Sequence, residues 1–158
     1  MKALTPCLNF NGNAREAFEF YASVFRGELR SVLKYGDLEM TSGMPEPDLA
    51  KLAHIHLVLG DDLNIIGSDV PESFGTPHQL GNHVQITIEP ETSEEAERLF
   101  ANLSEGGKVN MPLQPTEWAE QFGECTDRFG IGWMINFTGD VQFTRGQVAA
   151  DDGQRPFA

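Results

Sequence analysis

The amino-acid sequence predicts an α+β fold in which one strand–helix–strands unit occurs twice. Two helical patterns support this prediction, because they extend over 13–27 and 92–106 with the same spacing and an offset of 79 residues. Within them Glu16 corresponds to Glu95. Each pattern follows one strand-like run and precedes several. A duplicated unit of this kind can pair two half-sheets around a cleft.

The first half of the chain carries signals for one helix and four strands. The turn Asn11-Gly12-Asn13 supplies a helix N-cap, and apolar residues at helical spacing predict one buried stripe that ends before Gly27. Because 37–52 is rich in glycine and proline, we expect a loop there with at most one short helical turn. Strands are expected at 4–10, 28–36, 54–60 and 63–69, with a tight hairpin at 61–62.

The second half repeats this order. Thr92-x-x-Glu95 is a capping box that starts a helix over 93–105, and Gly106-Gly107 ends it in the left-handed conformation. Strands are expected at 83–89, 108–116, 119–127 and 131–138. We therefore divide the chain into a first module at 1–70, a linker at 71–82, a second module at 83–138 and a polar tail at 139–158.

Charge and composition exclude several classes of partner. The formal net charge is -13, and binding to nucleic acid or to an anionic membrane needs clustered Lys and Arg. No run of eighteen apolar residues exists to span a bilayer. The first residues lack the apolar region of a secretion signal, so we expect a cytoplasmic protein. Cys7 and Cys125 have no metal-type spacing, and we interpret both as reduced and structural.

Alternation along three predicted strands places polar side chains opposite an apolar face. If the helices cover the apolar faces, the other faces line the cleft, and the predicted lining is His54, His56, His83, Gln85, Met134 and Asn136. Trp118 and Phe122 would add flat apolar walls, whereas Trp133 is assigned to the core. The simpler alternative is a solvated polar face that binds nothing.

Histidine is concentrated on this predicted face, which holds three of the four histidines in the chain. Imidazole binds metals and moves protons near neutral pH, so His54, His56 and His83 form an alternative metal site. The nearest carboxylates, Asp69 and Asp127, lie near strand ends and are expected to point outward.

Two stretches of the sequence resemble the PhnB-like family. One is Met111-Pro-Leu-Gln-Pro-Thr-Glu-Trp-Ala-Glu-Gln-Phe-Gly-Glu-Cys-Thr-Asp-Arg-Phe-Gly-Ile-Gly-Trp-Met-Ile-Asn136, and the other is Pro6-x-Leu-x-Phe-x-Gly-Asn-Ala-x-Glu-Ala-x-x-Phe-Tyr21. The family belongs to the vicinal-oxygen-chelate superfamily of glyoxalases, bleomycin-resistance proteins and extradiol dioxygenases. The resemblance covers 4–138. It implies paired βαβββ modules with curled mixed sheets, helices on the outer faces, and a homodimer.

The resemblance also implies four metal-ligand positions, which are filled by His, Gln or Glu in the superfamily's metal enzymes. In this sequence they fall at Pro6 or Cys7, at Gly67 or Ser68, at His83 or Gln85, and at Met134. Pro, Gly and Met supply no donor for a hard divalent cation, so we expect neither the usual metal centre nor another cofactor.

The methyltransferase activity sometimes assigned to this family is disfavoured. A nucleotide-type cofactor favours a glycine-rich strand-to-helix turn, and the turns here are Asn11-Gly12-Asn13 and Pro90-Glu91-Thr92. The sequence therefore favours a protein that binds a small molecule without catalysis. The alternatives are a metal-dependent lyase, isomerase or dioxygenase with an atypical His-rich site, and a dimeric partner protein whose cleft is incidental.

Overall fold

A computed structural model describes residues 3–60 and 63–142 of the chain. The chain divides into two compact units, with the boundary between His83 and Val84. Each unit contains one four-stranded mixed sheet, so the predicted α+β class is confirmed. The hairpin predicted at 61–62 and the part of the tail from residue 143 onward lie outside the described residues.

The first unit contains four strands and one long helix. Its order is β1 (Cys7–Phe10), α1 (Ala14–Phe25), β2 (Glu28–Lys34), α2 (Glu46–Leu49), β3 (Leu52–Val58) and β4 (Asn64–Asp69). The strand order in the sheet is β1-β4-β3-β2; β1 runs parallel to β4, and the other neighbours are antiparallel.

The prediction that 37–52 is a loop with at most one short helical turn is wrong. Besides α2 the connection contains 3-10 turns at Tyr35–Asp37 and Glu39–Thr41, and β3 already begins at Leu52. The buried Asp48 carboxylate holds this connection in place, because it accepts hydrogen bonds from Ser73 N at 2.9 Å and Glu72 N at 3.1 Å and pairs with Lys51 Nζ at 2.9 Å. The bonds from Ser73, then the one from Lys51, hold the pKa of Asp48 well below its ordinary range.

The second unit has the same strand topology with a shorter connection between its second and third strands. Its order is β5 (Ile86–Ile88), α3 (Ser93–Ser104), β6 (Lys108–Gln114), β7 (Gln121–Thr126) and β8 (Gly132–Phe137). The strand order is β5-β8-β7-β6, again with one parallel pair, β5 with β8. The strand predicted at 83–89 is shorter than expected, because β5 covers only Ile86–Ile88. Ile86 pairs with Trp133, and β8 begins one residue earlier at Gly132, so the residues before Gln85 have no strand to pair with.

Each helix packs on one face of its own sheet. The predicted apolar stripe of α1 is largely confirmed, because Ala14, Ala17, Phe18 and Tyr21 are fully buried. Phe18 lies over Gly67 of β4: a Cβ added at Gly67 would be 2.5 Å from Phe18 Cε2. In the second unit Phe100 lies over Gly123 of β7, where the corresponding distance is 2.9 Å. Glycine therefore admits an aromatic ring against each sheet.

The two helices also end differently. Gly106 has a φ of +71° after α3, as the glycine signal predicts. After α1 the left-handed residue is Arg26, with a φ of 56°, and not Gly27. Gly27 is required for another reason: a Cβ there would be 2.7 Å from the carbonyl oxygen of Val58. Within the described residues, no helix has both the length and the apolar character needed to cross a bilayer.

Candidate functional site

The sheet of the second unit presents a mixed apolar and polar surface on the side away from α3. Because Gly123 and its partner Ile135 face α3, the alternate pairs Phe122–Asn136 and Glu124–Met134 face the other way. Thr87 of β5 pairs with Met134 on the same side, with Oγ1 3.6 Å from Sδ. We call this surface the second-unit face and define it by Gln85, Thr87, Phe122, Met134 and Asn136, with Trp118 beside Phe122.

Trp118 lies in the connection between β6 and β7. Thr116 N donates to Ala119 O at 3.0 Å and Ala119 N donates to Thr116 Oγ1 at 3.2 Å, which closes a tight turn around Trp118. The indole stands edge-on to the Phe122 ring, with centroids 5.4 Å apart. Trp118 is 41% exposed whereas Phe122 is 7% exposed, so the pair offers an apolar wall to a ligand from the Trp118 side.

Asn136 is held in one orientation by Glu89. Its Nδ2 donates to Glu89 Oε2 at 2.6 Å and to Thr138 Oγ1 at 3.1 Å, while Thr138 N donates to Glu89 Oε1 at 2.8 Å. Burial acts to raise the pKa of Glu89, but the bonds from Thr138 and Asn136 outweigh it and lower that pKa. Both amide hydrogens of Asn136 are used, so this side chain can bond to a ligand only by accepting at its oxygen.

Gln85 lies immediately before β5 and is exposed. Its side chain covers Gly132, because a Cβ added there would be 3.0 Å from Gln85 Cγ. The structure thus places Gln85, Trp118, Phe122, Met134 and Asn136 in one unit, all on or beside the second-unit face.

The sheet of the first unit presents imidazoles and amides on the side away from α1. Gly67 faces Phe18, so the alternate positions, including His54 and His56, face the other way. Both histidines are half-buried, and their ring centroids are 6.3 Å apart. Asn64 Oδ1 lies 2.9 Å from His56 Nε2. Because an amide oxygen only accepts, this hydrogen bond requires a tautomer with the proton on Nε2.

His83 does not lie in a strand, so the alternation predicted for it is wrong. It is exposed in the segment that ends at the unit boundary. Among the described residues no group of three or more His, Cys, Asp or Glu is placed to hold a metal ion, and His54, His56 and His83 therefore do not form one.

The donors at the superfamily's ligand positions do not fit a divalent cation either. Cys7 is exposed, Ser68 donates to Asn9 Oδ1 at 3.2 Å, and Met134 offers only a thioether. At Gly67 any side chain would point at Phe18. Hard divalent ions take several carboxylate, carbonyl or imidazole ligands, and this set does not provide them.

The expectation that Asp69 and Asp127 point outward is wrong. Both are buried, at 3% and 4% exposed. Asp69 accepts from Ala14 N and Leu52 N, each at 2.9 Å. Asp127 accepts from Trp133 Nε1 at 2.8 Å and from two backbone N–H groups of the turn before β8. These bonds satisfy the buried charges and give the carboxylates structural roles.

Sequence reasoning missed a polar cavity in the first unit where α1 ends. The cavity has a volume of about 440 Å³, and among the residues that line it are Arg26, Arg30, His56 and Asn64. We call it the arginine cavity. The sequence signal was Arg26 and Arg30, two of only eleven basic residues in the chain, four positions apart.

Comparison with known proteins places the chain in a family. The family described as 3-demethylubiquinone-9 3-methyltransferase matches residues 2–136. Protein YjdN of Escherichia coli K12 is 34% identical in an alignment of 144 residues that covers 84% of this chain and 93% of YjdN. The solved structure of protein PA1353 from Pseudomonas aeruginosa is 40% identical with a TM-score of 0.77, covering 87% of this chain and 98% of PA1353.

More distant solved structures share the fold. The PhnB protein from Bacillus cereus, described as a putative 3-demethylubiquinone-9 3-methyltransferase, is 23% identical with a TM-score of 0.67, covering 85% of this chain and 98% of that one. A glyoxylase/bleomycin resistance protein/dioxygenase domain from Frankia is 11% identical with a TM-score of 0.59, covering 88% and 97%. The chain belongs to the PhnB-like family, described as 3-demethylubiquinone-9 3-methyltransferase, and it shares the fold of the glyoxylase/bleomycin resistance protein/dioxygenase domain.

Proposed function

We propose that this protein binds a small polar or aromatic molecule, without the metal centre usual in its superfamily, and that the second-unit face contacts it. The observation that carries the proposal is the Trp118–Phe122 pair, which forms an aromatic wall. Phe122 pairs across the sheet with Asn136, whose amide is held by Glu89. An apolar wall with a few oriented polar groups is the usual composition of a small-molecule site.

Each residue has a separate role in this proposal. Trp118 stacks on a flat part of the ligand, and Phe122 fixes the angle of the indole. Asn136 accepts a hydrogen bond from the ligand, because Glu89 takes its N–H group. Met134 supplies a polarisable apolar contact, and Gln85 supplies an exposed amide. His54, His56 and His83 remain proposed ligand contacts. The cleft that would bring these histidines together with the second-unit face stays a prediction.

Tryptophan fluorescence tests this proposal directly, because the chain has only two tryptophans and Trp133 is fully buried. Quenching by acrylamide should therefore report mainly on Trp118. We expect members of a panel of small aromatic and polar compounds to protect Trp118 from quenching. They should also raise the free energy of unfolding by about 2.7 kcal/mol at a hundredfold excess over Kd.

Trp118→Phe and Asn136→Ala should each weaken binding of a compound found in this way by about tenfold. Asn110→Ala is the matched control, because Asn110 is an exposed amide of the same sheet that is bonded to Thr126. If no compound protects Trp118, or if N110A weakens binding as much as N136A, the assignment of the second-unit face fails.

Metal content discriminates the enzymatic alternative. A metal-dependent lyase, isomerase or dioxygenase should contain stoichiometric metal when purified without chelator, and a metal-free protein would remove this alternative. We do not propose methyl transfer. The turns into α1 and α3 are not glycine-rich, and a carboxylate of the chain itself already occupies the first N–H group of α1.

We also propose a cytoplasmic homodimer. Its support is the exposure of large apolar side chains, such as Leu4 at 89% and Val84 at 78%, which a subunit interface would cover. Free thiols at Cys7 and Cys125 are typical of a reducing compartment. Light scattering would measure the mass of the purified protein in solution. A mass of 17.5 kDa, that of one chain, would contradict the dimer.

A further inference from the structure

The arginine cavity lies at the junction of α1, β2 and the β3–β4 end of the first sheet. It is lined by residues that follow α1, by the last part of β3, and by Asn64 at the start of β4. Its volume of about 440 Å³ is within the range of small-molecule sites. None of the residues that line it belongs to the second-unit face, so it requires a separate explanation.

The side chains around the cavity are mainly donors. Arg26 and Arg30 each bring a guanidinium, and the Asn64 amide bonded to His56 brings N–H groups. Among the described residues that line the cavity, Glu28 is the one carboxylate. Its Oε2 lies 3.9 Å from Arg30 Nε, and the side chains of Glu28 and Arg30 are 74% and 60% exposed. An exposed pair at that distance is weak and does not neutralise Arg30.

The backbone fixes where these donors converge. Gly27 allows the chain to pass against the carbonyl oxygen of Val58, so Arg26 and Glu28 are held beside the end of β3. A register irregularity in β2 between Leu29 and Ser31 contains Arg30. Two arginines that line one concave surface favour an anion there, against the background of a chain with 24 acidic residues.

We propose that the arginine cavity binds a small molecule through a phosphate or carboxylate group. Arg26 and Arg30 contact the oxyanion, because a guanidinium matches the geometry of both groups with paired N–H donors. Asn64 donates a further hydrogen bond and keeps the His56 ring in place. Because Arg30 is largely exposed, the affinity for the isolated oxyanion is in the millimolar range.

Titration of the full chain with inorganic phosphate, and separately with acetate, tests this site. Ionic strength is kept constant with sodium chloride, and the Arg Nε–H and Asn64 Nδ2–H signals are followed by nuclear magnetic resonance. We expect saturable shifts of these signals with phosphate, with acetate or with both. The responsive anion identifies the group that the site prefers.

The matched variants are Arg30→Gln and Arg15→Gln. Arg15 lies in the same unit, is 51% exposed and is 3.8 Å from Glu19, so its substitution removes the same charge from an equivalent weak pair. We expect R30Q to weaken binding by about fivefold or more and R15Q to change it less than about twofold. R26Q should weaken binding like R30Q, and thermal unfolding without ligand shows whether each variant is folded.

Three outcomes would overturn the proposal. The first is that neither anion shifts the signals beyond the effect of chloride, and the second is that the shifts do not saturate. The third is that R15Q and R30Q weaken binding equally, which would indicate a general charge effect. These outcomes leave the proposed function of the second-unit face untouched, because neither Trp118 nor Asn136 takes part.

Discussion

The helices α1 and α3 align over their whole length, yet they begin in different ways. In α3 the side chain of Thr92 accepts from Glu95 N at 3.1 Å, so the helix is capped by its own N-cap residue. In α1 Asn13 occupies the same position, and its side chain makes no capping bond. The first N–H group there, that of Ala14, donates instead to Asp69, which lies 55 residues away.

This difference shows how one topology is stabilised in two ways. A local cap stabilises only the first turn of its helix. Asp69 connects the start of α1 to the end of β4 and, through Leu52 N, to the start of β3. The second unit has its buried carboxylate at a different place, because Asp127 closes the turn between β7 and β8 and holds Trp133.

Removing the Asp69 carboxylate should have the largest effect. Asp69→Ala leaves two buried backbone N–H groups without their acceptor, and we expect a loss of about 3 kcal/mol in the free energy of unfolding. Denaturant unfolding measures it. Asp37→Ala is the control, because Asp37 accepts from one exposed N–H group only and should cost less than about 1 kcal/mol. Equal losses in the two variants would contradict the anchoring role of Asp69.

A paired substitution at the two N-cap positions tests the comparison directly. Thr92→Ala should cost about 1 kcal/mol, because Glu95 N loses its acceptor. Asn13→Ala should cost less than about 0.5 kcal/mol, because Asn13 makes no cap bond to lose. Denaturant unfolding measures the free energy of unfolding of both variants. A larger loss in N13A than in T92A would show that Asn13 caps α1.

The smallest expected effect concerns the reactivity of the two thiols, one of which lies in each unit. Cys125 is fully buried, and burial, followed by the nearby Asp127 charge, raises its pKa to about 11. Cys7 is exposed. A thiol reagent at pH 8 should therefore modify one cysteine per native chain, none in Cys7→Ala, and two in the wild-type chain after denaturation. Two rapid modifications in the native chain would contradict the packing around Cys125.

The raised pKa of Cys125 also sets a pH dependence with a definite sign. The native state holds the thiol protonated above the ordinary thiol pKa of 9.0, whereas the unfolded chain releases the proton there. The contribution of Cys125 to stability is thus complete below pH 9 and decreases as the pH rises toward about 11.

Much of the fold was predictable because its signals are local. Apolar spacing located both helices to within one or two residues, and the Thr92 cap and the Gly106 terminus depend on neighbours in sequence. Strand alternation alone grouped Met134 and Asn136 on one face, whereas the pairing of Phe122 with Asn136 came from the structure. His83 was misplaced because alternation applies only where a partner strand exists, and β8 does not extend to pair with it.

The sequence by itself determined the class of fold, its duplication, and which strand faces carry polar and aromatic side chains, because periodicity requires only residues a few positions apart. Tertiary structure alone decided that Asp69 replaces Asn13 as the anchor of α1 and that Arg26 and Arg30 meet Asn64 around one cavity. These contacts join residues more than thirty positions apart. They depend on the register of paired strands, which no local pattern specifies.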